Sequence, residues 1–321
     1  MPTTITAPAT QALYNTAGLQ LAFLLGDLSR ALMDGLSTIP DMGDPIDLSG
    51  QSSLSMRLPV YAGVAFDQAF AASGSETSLN AADTYTLDYS SVSVAQYDLS
   101  YTQSVQNQVI QGDGKILTLD DLKTMIPDNV IRTLRGLYCT AGSGISAVTV
   151  GDPTLDLDAD DAYDLAGQIT LRAGAAALGM PTLTLAPQQW NTLRNAFRSE
   201  PAFVQNLQAF QAVQRGGGQL LGDVLGLGFG IQLTDSVVTS GGAYKGFCVS
   251  PGSIVRVKAD PSRARLPAAA NPIFLPDFGV VCYELLDGLS SARLGWQALG
   301  FFGAALRLNA VSFQALVTSK V

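Results

Sequence analysis

Histidine is absent from this sequence, which therefore lacks the side chain that most often acts as a general base at neutral pH. The absence excludes Ser–His and Cys–His nucleophilic sites and zinc sites that need a histidine ligand. The Ser-x-x-Lys arrangement is missing as well, because no serine stands three residues before any of the five lysines. These absences argue against most enzyme classes.

Charge is also scarce. Charged residues make up 14% of the 321 residues, against about 25% in an average soluble protein. So little charge would leave much of a monomer's surface apolar, and we therefore expect extensive contact between subunits. The net charge is −9 and lysine and arginine form no run, which argues against tight binding of nucleic acid through its phosphates. A nucleic acid that the protein merely encloses is compatible with this charge.

Long apolar runs are missing too. The best candidate, residues 294–317, is interrupted by Gln297, Arg307, Asn309 and Gln314, and a membrane span needs roughly 18 apolar residues. The amino terminus shows neither the basic nor the apolar segment of a signal peptide. We therefore expect synthesis in the cytoplasm and no insertion into a membrane.

Cysteine occurs three times, at Cys139, Cys248 and Cys282. The number is odd, the three are far apart in sequence, and no Cys-x-x-Cys pair exists. We expect buried, reduced thiols without a metal or redox role.

A glycine-rich stretch, Leu225–Val238, could be taken for the phosphate-binding turn of a dinucleotide-binding enzyme. That turn requires Gly-x-Gly-x-x-Gly between a strand and a helix. Ile231 stands where the third glycine is needed, and the residues after it alternate as they do in a strand. We interpret Gly226, Gly228 and Gly230 as positions where the backbone requires glycine on entry to strands.

The amino-terminal third combines a helical pattern with an extended one. After a Pro/Thr-rich arm, apolar residues recur at helical spacing from Leu13 to Leu36, which predicts an amphipathic helix. From Met56 to Phe70 the apolar residues alternate, which predicts a strand. The chain returns through a second extended segment, residues 84–105, so the two segments predict a long hairpin that cannot be stable by itself.

The return segment of this hairpin changes phase twice. Apolar residues fall on odd positions up to Tyr89, on even positions at Val92 and Val94, and on odd positions again from Tyr97. A change of phase moves side chains to the other face of a strand, so we expect a bulge or bend at each change.

Two helices are predicted before residue 145. Thr118 and Asp121 resemble a capping box ahead of a short helix. Pro127 suits the first turn of a second helix, whose end is predicted near Gly142 and Gly144.

An acidic cluster precedes a further helix that we expect from about Ala159. A calcium-binding EF-hand loop would need glycine at Asp161 and glutamate at Gly167. Carboxylates at a helix amino terminus interact favourably with the helix dipole, and we prefer that interpretation. The cluster consists of Asp156, Asp158, Asp160, Asp161 and Asp164.

The remaining sequence predicts a sheet with helices packed on it. Residues 180–198 predict a short buried strand, a turn with a proline, and a helix that buries Trp190, Leu193 and Phe197. No nucleophile or base stands at that turn. Antiparallel strands follow to the carboxyl terminus, and the fold class is therefore α+β.

The order of these elements resembles that of tailed-bacteriophage major capsid proteins of the Hong Kong 97 type. The resemblance rests on the arm, the long hairpin, the helices leading into "LTLAPQQWNTLR", the strands "GFGIQLTDSVV" and "GAYKGFCVSPGSIVRV", and the closing "NAVSFQALV". It implies an amino-terminal arm and helix at 1–50, an extended-loop hairpin at 51–108, a peripheral domain with a spine helix at 109–185, an axial domain at 186–262, and return strands at 263–321.

Two features depart from the family pattern. The helix expected after Pro127 is short for a spine helix, which puts the domain boundaries in doubt. No long scaffolding region precedes the arm, which implies a separate scaffolding protein.

The resemblance also implies a function without catalysis. The chain would assemble into pentamers and hexamers that form an icosahedral shell around double-stranded DNA, in a virion, with no cofactor and no sequence-specific DNA contact. Implied partners are other copies of the chain, a scaffolding protein, a portal and a cement protein. The hairpin segment 51–105 carries one arginine and five acidic residues, and we expect it to lie on a neighbour near Arg132 and Arg135 or near Arg194 and Arg198.

Two alternatives stay open. The family's fold is shared with encapsulins, so the chain could form a compartment around a protein cargo. A carboxylate-dependent enzyme that uses Glu284 and Asp287 is the other alternative, and it would need a pocket that strongly perturbs these carboxylates.

Overall fold

The computed structural model describes residues 27–39, 45–49, 55–62, 86–102, 119–173, 179–199, 228–263, 272–286, 293–307 and 312–321. The described helices are α1 (residues 27–36), α2 (Leu119–Gly142), α3 (Ala159–Ala173) and α4 (Pro187–Ser199). The strands are β1 (Ile46–Asp47), β2 (Ser55–Ala62), β3 (Thr86–Ser93), β4 (Ala95–Thr102), β5 (Thr149–Val150), β6 (Thr182–Leu185), β7 (Gly230–Leu233), β8 (Val238–Ser240), β9 (Ala243–Val249), β10 (Ile254–Lys258), β11 (Ile273–Leu275), β12 (Val280–Leu286), β13 (Arg293–Leu306) and β14 (Gln314–Lys320). The predicted α+β class is confirmed.

The first sheet is organised around β13. Its strand order is β1-β10-β13-β12-β11. On one edge of β13, β12 pairs with residues 293–300 and β10 with residues 302–306. On the opposite edge, β4 pairs with residues 295–302. The long strand thus joins segments that are far apart in sequence.

The two faces of this sheet are covered differently. Successive residues of a strand point to opposite faces. The inner face carries Trp296, Ala298 and Phe302, which pack with α1 and α2 in the first hydrophobic core. On the outer face, Phe301 and Ala305 pack on a small cluster formed by Leu48, Val92, Val94 and Val257.

The second sheet has the strand order β5-β14-β9-β6-β7, with β8 also paired to β9. In β9, Phe247 and Val249 belong to the first core, whereas Cys248 belongs to a second core with α3 and α4. This sheet is therefore covered on both faces. A Cβ atom at Gly142, in the last turn of α2, would lie 2.5 Å from the Phe247 ring, so the close approach of helix and sheet requires glycine there.

Helix α2 differs from the two helices that the sequence predicts. It runs unbroken for 24 residues and contains Pro127, so the prediction of a second helix starting at Pro127 is wrong, and so is the expected shortness. A proline inside a helix costs about 3 kcal/mol. Ile126, Val130 and Leu134 lie on both sides of it and are buried in the first core, where each side chain contributes about 1.5–3 kcal/mol. The free energy gained by burying the apolar face of the helix is larger than the cost of the proline.

The ends of α2 agree with the sequence-based prediction better than its middle does. The helix ends at Gly142, as predicted. It begins at Leu119, directly after Thr118. The predicted capping box cannot be located, because Thr118 and the side chain of Asp121 lie outside the described residues.

The described part of the hairpin is the antiparallel pair β2–β3, in register from Ser55 opposite Ser93 to Ala62 opposite Thr86. The register has no shift, so a bulge at the first phase change, between Tyr89 and Val92, is not formed. The second phase change coincides with a break at Val94, between β3 and β4. Val94, at the break, packs in the outer-face cluster, whereas Tyr97, after the break, packs against the first core. The hairpin tip predicted beyond these strands lies outside the described residues.

The other predicted helices and strands are present. In the amino-terminal helix, residues 27–36 are helical and bury Leu28 and Leu32, while its predicted first half lies outside the described residues. Helix α4 buries Trp190, Leu193 and Phe197 as predicted. Of the helices that the structure describes, none combines the length and apolarity needed to cross a membrane.

Candidate functional site

The glycine-rich stretch leads into a strand. Gly228 has a φ of +73°, a conformation that favours glycine, and β7 follows, parallel to β6. A strand and not a helix follows the turn, which agrees with the rejection of a dinucleotide site. At Gly230 a Cβ would make only an ordinary contact, 3.9 Å from the Met180 methyl group, so the expected requirement for glycine is wrong there. Gly226 lies outside the described residues.

The acidic cluster caps α3. The backbone N–H of Asp161 donates to Oδ1 of Asp158 at 3.0 Å, and the N–H of Asp158 donates to Oδ2 of Asp161 at 3.0 Å. This reciprocal pair satisfies amide donors that the first turn of a helix leaves free. Burial raises the pKa of Asp161, and the neighbouring carboxylates of Asp158 and Asp164 raise it further. The helix interpretation of the cluster is therefore confirmed.

A third member of the cluster pairs with the end of the chain. Oδ2 of Asp156 lies 2.9 Å from Nζ of Lys320, and both side chains are about half exposed. Within the described ranges, no group of three or more acidic or cysteine side chains is placed to bind a metal ion.

The three cysteines are buried and unpaired, as predicted. Burial raises the pKa of Cys139 to about 12 and that of Cys282 to about 12. Burial raises the pKa of Cys248 as well. A thiol that stays protonated at neutral pH is a poor nucleophile and metal ligand, so none of them forms a reactive site.

The structure does not describe the side chains of the two carboxylates that the enzyme alternative would use. Glu284 belongs to β12, but its side chain lies outside the described residues, as does Asp287. No catalytic arrangement can be built from them.

The most distinctive surface feature is a groove between α1 and α2, with a volume of about 500 Å³. The two helices approach closely: a Cβ at Gly35 would lie 2.5 Å from Cγ1 of Ile131. Arg132, Arg135 and Asp128 line the groove, together with Ala31, Gly35, Thr38, Pro127 and Ile131. Two cations against one anion leave the groove positively charged.

Arg135 is held in this groove by Thr38. Its Nη2 atom donates to Oγ1 of Thr38 at 2.8 Å. The Thr38 hydroxyl donates in turn to the Gly35 carbonyl at 2.6 Å, and the Thr38 carbonyl accepts a hydrogen bond from Nε2 of Gln232 in β7. The end of α1 is therefore tied to α2 and to the second sheet at a single residue.

Arg132 differs from Arg135 in being free. It is exposed, and no other described residue forms a hydrogen bond or an ion pair with it. The two arginines, three residues apart on one helix, lie on the same side of it. The groove thus carries one guanidinium group without a described partner and one that is held by Thr38.

The second arginine pair named by the sequence lies on α4 and is arranged differently. Nη2 of Arg194 donates to Oδ1 of Asn191 at 2.8 Å, and its Nε atom is buried without a partner within the described part of the chain. Arg198 is exposed in the last turn of the helix. Neither arginine lines the groove between α1 and α2.

A smaller cavity of about 240 Å³ lies between β4, α2 and β13. Tyr97 and Phe302 stack on one wall, with ring centroids 5.1 Å apart, and Asn129 and Thr133 line another. Its walls mix polar and apolar groups, and Tyr97 and Asp98 are the titratable residues among those that line it. The cavity holds no arrangement for catalysis.

The base of the hairpin lies on the face of the first sheet opposite to the groove. A Cβ at Gly303 would collide with the Ser93 carbonyl at the end of β3, so only glycine allows the strand to pass there. Gly303 lies on the outer face of the first sheet, whereas α1 and α2 pack on the inner face. The first sheet therefore separates the base of the hairpin from the groove.

No protein-family model matches this sequence, and no curated protein matches it either. Solved structures do match. The capsid of the native GTA particle is similar over 87% of this chain and 89% of that chain, with a TM-score of 0.56 and 12% identity. The mature capsid of bacteriophage PhiM1 is similar over 86% of each chain, with a TM-score of 0.52 and 11% identity. The capsid of Ralstonia phage GP4 is similar over 87% of each chain, with a TM-score of 0.52 and 11% identity.

The chain has the fold of phage capsid proteins. The similarity to these capsids covers 86–87% of the sequence. The predicted resemblance is thereby confirmed at the level of fold.

Sequence reasoning found some residues of the candidate surface and missed others. It named Arg132 and Arg135, which the structure brings together, and Arg194 and Arg198, which it leaves outside any described groove. It missed Thr38 and Gln232, which meet although 194 residues separate them. No local sequence pattern predicts this contact, because neither polar residue differs from those around it in a way that indicates a distant partner.

Proposed function

We propose that this chain is a structural shell protein, the major capsid protein of a tailed bacteriophage of the Hong Kong 97 type. The observation that carries the proposal is the capsid fold itself, which extends over 87% of the chain at a TM-score of 0.56. The absence of histidine and the burial of all three cysteines fit a protein that acts without catalysis. On this proposal the chain is not an enzyme and needs no cofactor.

Assembly would proceed through repeated contacts between identical subunits. Pentamers and hexamers reuse the same surfaces, and their repetition closes an icosahedral shell. The scarcity of charge supports this mode of action, because apolar surface that a monomer would expose becomes buried between subunits. The shell would enclose double-stranded DNA without reading its sequence, in keeping with the net charge of −9.

The two sheets suggest how the family's domains lie in this chain. The first sheet with α2 as the spine helix would form the peripheral domain, and the second sheet with α4 the axial domain. Helix α3 packs in the second core, so we place it with the axial domain and move that boundary towards the amino terminus. The hairpin would be the extended loop, and residues 1–50 the amino-terminal arm and helix.

Further partners follow from the family. A separate scaffolding protein, a portal and a cement protein are proposed on that ground alone. The protein would be made in the host cytoplasm and reside in the virion.

The experiment that tests this proposal examines the contents of purified particles. Particles isolated from phage-infected cells are expected to contain DNA that resists nuclease until the shell is disrupted. Particles that instead enclose a defined protein and no nuclease-resistant DNA would favour the encapsulin-like alternative. Terminase and portal genes beside the coding sequence would support the first outcome, and a gene for a cargo enzyme the second.

A further inference from the structure

We infer that the groove between α1 and α2 is a binding site for phosphate groups. The inference goes beyond the proposed function, which assigns no ligand site to the chain. Two sources supply this chemistry, the backbone of an enclosed nucleic acid and free phosphate compounds, and experiment separates them.

The charge of the groove is the first reason. Arg132 and Arg135 line it, and Asp128 is the single acidic residue among its lining residues. The chain as a whole carries a net charge of −9. A local excess of positive charge in a cleft attracts an anion that the rest of an acidic protein repels.

The shape of the groove suits a ligand larger than a single ion. Its volume is about 500 Å³, within the range of about 300–1,000 Å³ that is typical of ligand sites. Ala31, Gly35, Pro127 and Ile131 form the rest of its lining together with Thr38. Apolar side chains offer the arginines no acceptor and lower the local dielectric constant, which strengthens the attraction between a guanidinium group and a phosphate.

Arg135 is oriented before a ligand binds. Its Nη2 atom donates to Oγ1 of Thr38 at 2.8 Å, and the Thr38 carbonyl is held by Gln232. A guanidinium group has five N–H donors, so the single hydrogen bond to Thr38 leaves the others for a ligand. A side chain that is already ordered loses less conformational entropy on binding.

Arg132 supplies the second guanidinium group. It is exposed and forms no hydrogen bond or ion pair with a described residue, not even with Asp128, four residues earlier on the same helix. Residues three apart lie on the same side of a helix, so Arg132 and Arg135 can reach one ligand. Both stay charged at any pH at which the protein is folded.

Phosphate is the anion that this pair of arginines fits best. A carboxylate has two oxygens, and one bidentate arginine occupies both of them. A phosphate monoester has three acceptor oxygens, and a nucleic-acid strand presents successive phosphates, so both arginines find an acceptor in either case. Contacts to phosphates carry no sequence information, which agrees with a shell that encloses DNA without reading it.

The first test titrates the purified protein with inorganic pyrophosphate at low ionic strength, measured by calorimetry. We expect saturable binding that Arg132→Gln weakens by roughly fivefold, because one charge-assisted contact is lost at a partly exposed site. Arg198→Gln is the matched control. It removes one positive charge from an exposed position on α4 that does not line the groove, and it should bind as the wild type does.

A second variant should bind more tightly than the wild type. Asp128→Asn removes the carboxylate that opposes the anion in the groove, so the affinity for pyrophosphate should rise by about twofold or more. Damage to the fold cannot explain a gain of affinity. An unchanged or lower affinity of Asp128→Asn would contradict the placement of the anion in this groove.

Thr38 has a positioning role in this site. Thr38→Val removes the acceptor for Arg135 and should weaken binding of pyrophosphate by about twofold to threefold. In an Arg135→Gln background the same change should have no further effect on affinity. An equal effect in both backgrounds would show that Thr38 does not act through Arg135.

A duplex DNA separates the two sources of phosphate. Binding of a short duplex of mixed sequence is measured by fluorescence anisotropy at several salt concentrations. Affinity for DNA falls with salt at a logarithmic slope of about −0.9 per contacted phosphate, and Arg132→Gln should reduce that slope by about 1. Duplex binding with this dependence identifies a nucleic-acid backbone as the source, whereas binding of pyrophosphate alone identifies free phosphate compounds. Either result supports the site.

Three results would overturn the inference. They are binding of neither probe, an equal loss of affinity in Arg132→Gln and Arg198→Gln, and tighter binding of a glutamate-rich peptide than of both phosphate probes. The peptide result would mean that the groove takes a segment of protein. These measurements use the protein in solution and need no shell. A chain that assembles but binds no phosphate would keep the proposed function and lose only this site.

Discussion

The two sheets of this subunit differ in how completely they are covered. The second sheet has the first core on one face, through Phe247, and the second core on the other, through Cys248. Among the described residues, helices cover the first sheet on its inner face only. On its outer face Val255, Val257 and Val281 are buried, whereas Tyr283, Leu299 and Phe301 are only partly buried.

This difference predicts that the second sheet mainly stabilises the folded subunit and that the first sheet mainly serves assembly. A sheet buried on both faces stabilises the subunit by itself, because its apolar side chains have left water before any partner arrives. A sheet with one partly covered face, from which a hairpin leaves, keeps apolar surface available for other copies. We therefore expect changes in the first region to affect shells and changes in the second to affect stability.

Deleting the hairpin should give the largest effect on assembly. Replacing residues 62–90 by a short Gly-Ser turn removes the segment that we propose contacts a neighbour but leaves both cores intact. We expect a subunit that melts cooperatively and forms no shells, measured by thermal melting together with electron microscopy. Normal shells from this variant would show that the hairpin assignment is wrong, and loss of the cooperative melt would show that the segment belongs to the subunit core.

Truncating Phe247 should give the largest effect on stability. Phe247 is fully buried between α2 and the second sheet, and a Phe→Ala change in such a core costs about 3–5 kcal/mol. The matched control is Leu299→Ala on the outer face, for which about 1 kcal/mol or less is expected because Leu299 is already partly exposed. Urea unfolding of both variants measures the difference, and equal losses would contradict the contrast between the two sheets.

Alkaline pH should destabilise the subunit by a smaller amount. Burial raises the pKa of Cys139 and of Cys282 to about 12, from the usual thiol value of about 9. A raised pKa in the folded state gives stability that is complete below pH 9 and is lost as the pH rises towards 12. Each thiol can contribute up to about 1.4 kcal/mol per pH unit in this window.

The measurement is the free energy of unfolding from pH 8 to pH 11. Cys282→Ala is expected to reduce the decline over this range, because it removes one of the thiols that must ionise on unfolding. Native protein at pH 8 should also fail to react with a thiol reagent, whereas denatured protein should react at three sites. A rapid reaction of the native protein would show that the thiols are accessible.

Removing the ion pair at the carboxyl end should have the smallest effect. Lys320 and Asp156 are both about half exposed, and such pairs contribute about 0–1 kcal/mol. Lys320→Met should therefore lower the free energy of unfolding by less than about 1 kcal/mol and should leave assembly unchanged. A loss comparable with that of Phe247→Ala would mean that the edge of the second sheet is more important than its core.

Local signals in the sequence predicted several elements correctly. The acidic residues before α3 mark a helix start, and the structure shows the reciprocal cap of Asp158 and Asp161. The short apolar stretch before the proline-containing turn predicted β6, and the helix predicted to bury Trp190 and Phe197 is α4. These predictions are correct because each depends only on residues that are close to one another in the sequence.

Other features depend on distant parts of the chain and could not be predicted. Helix α2 continues through Pro127 because residues on both sides of it pack on the first sheet, a partner that local propensity does not reveal. The contact of Thr38 with Gln232 likewise depends on how the second sheet meets α1. The groove was therefore visible in the sequence only as two arginines three residues apart.

Electron microscopy of the purified protein, at tens of micromolar and with the proposed scaffolding protein supplied, tests the central claim most directly. Sedimentation of the same sample gives the fraction of chains in large particles. Closed shells built of pentameric and hexameric units are expected. A compact monomer that sediments alone under these conditions would contradict the proposal that this chain is a shell protein.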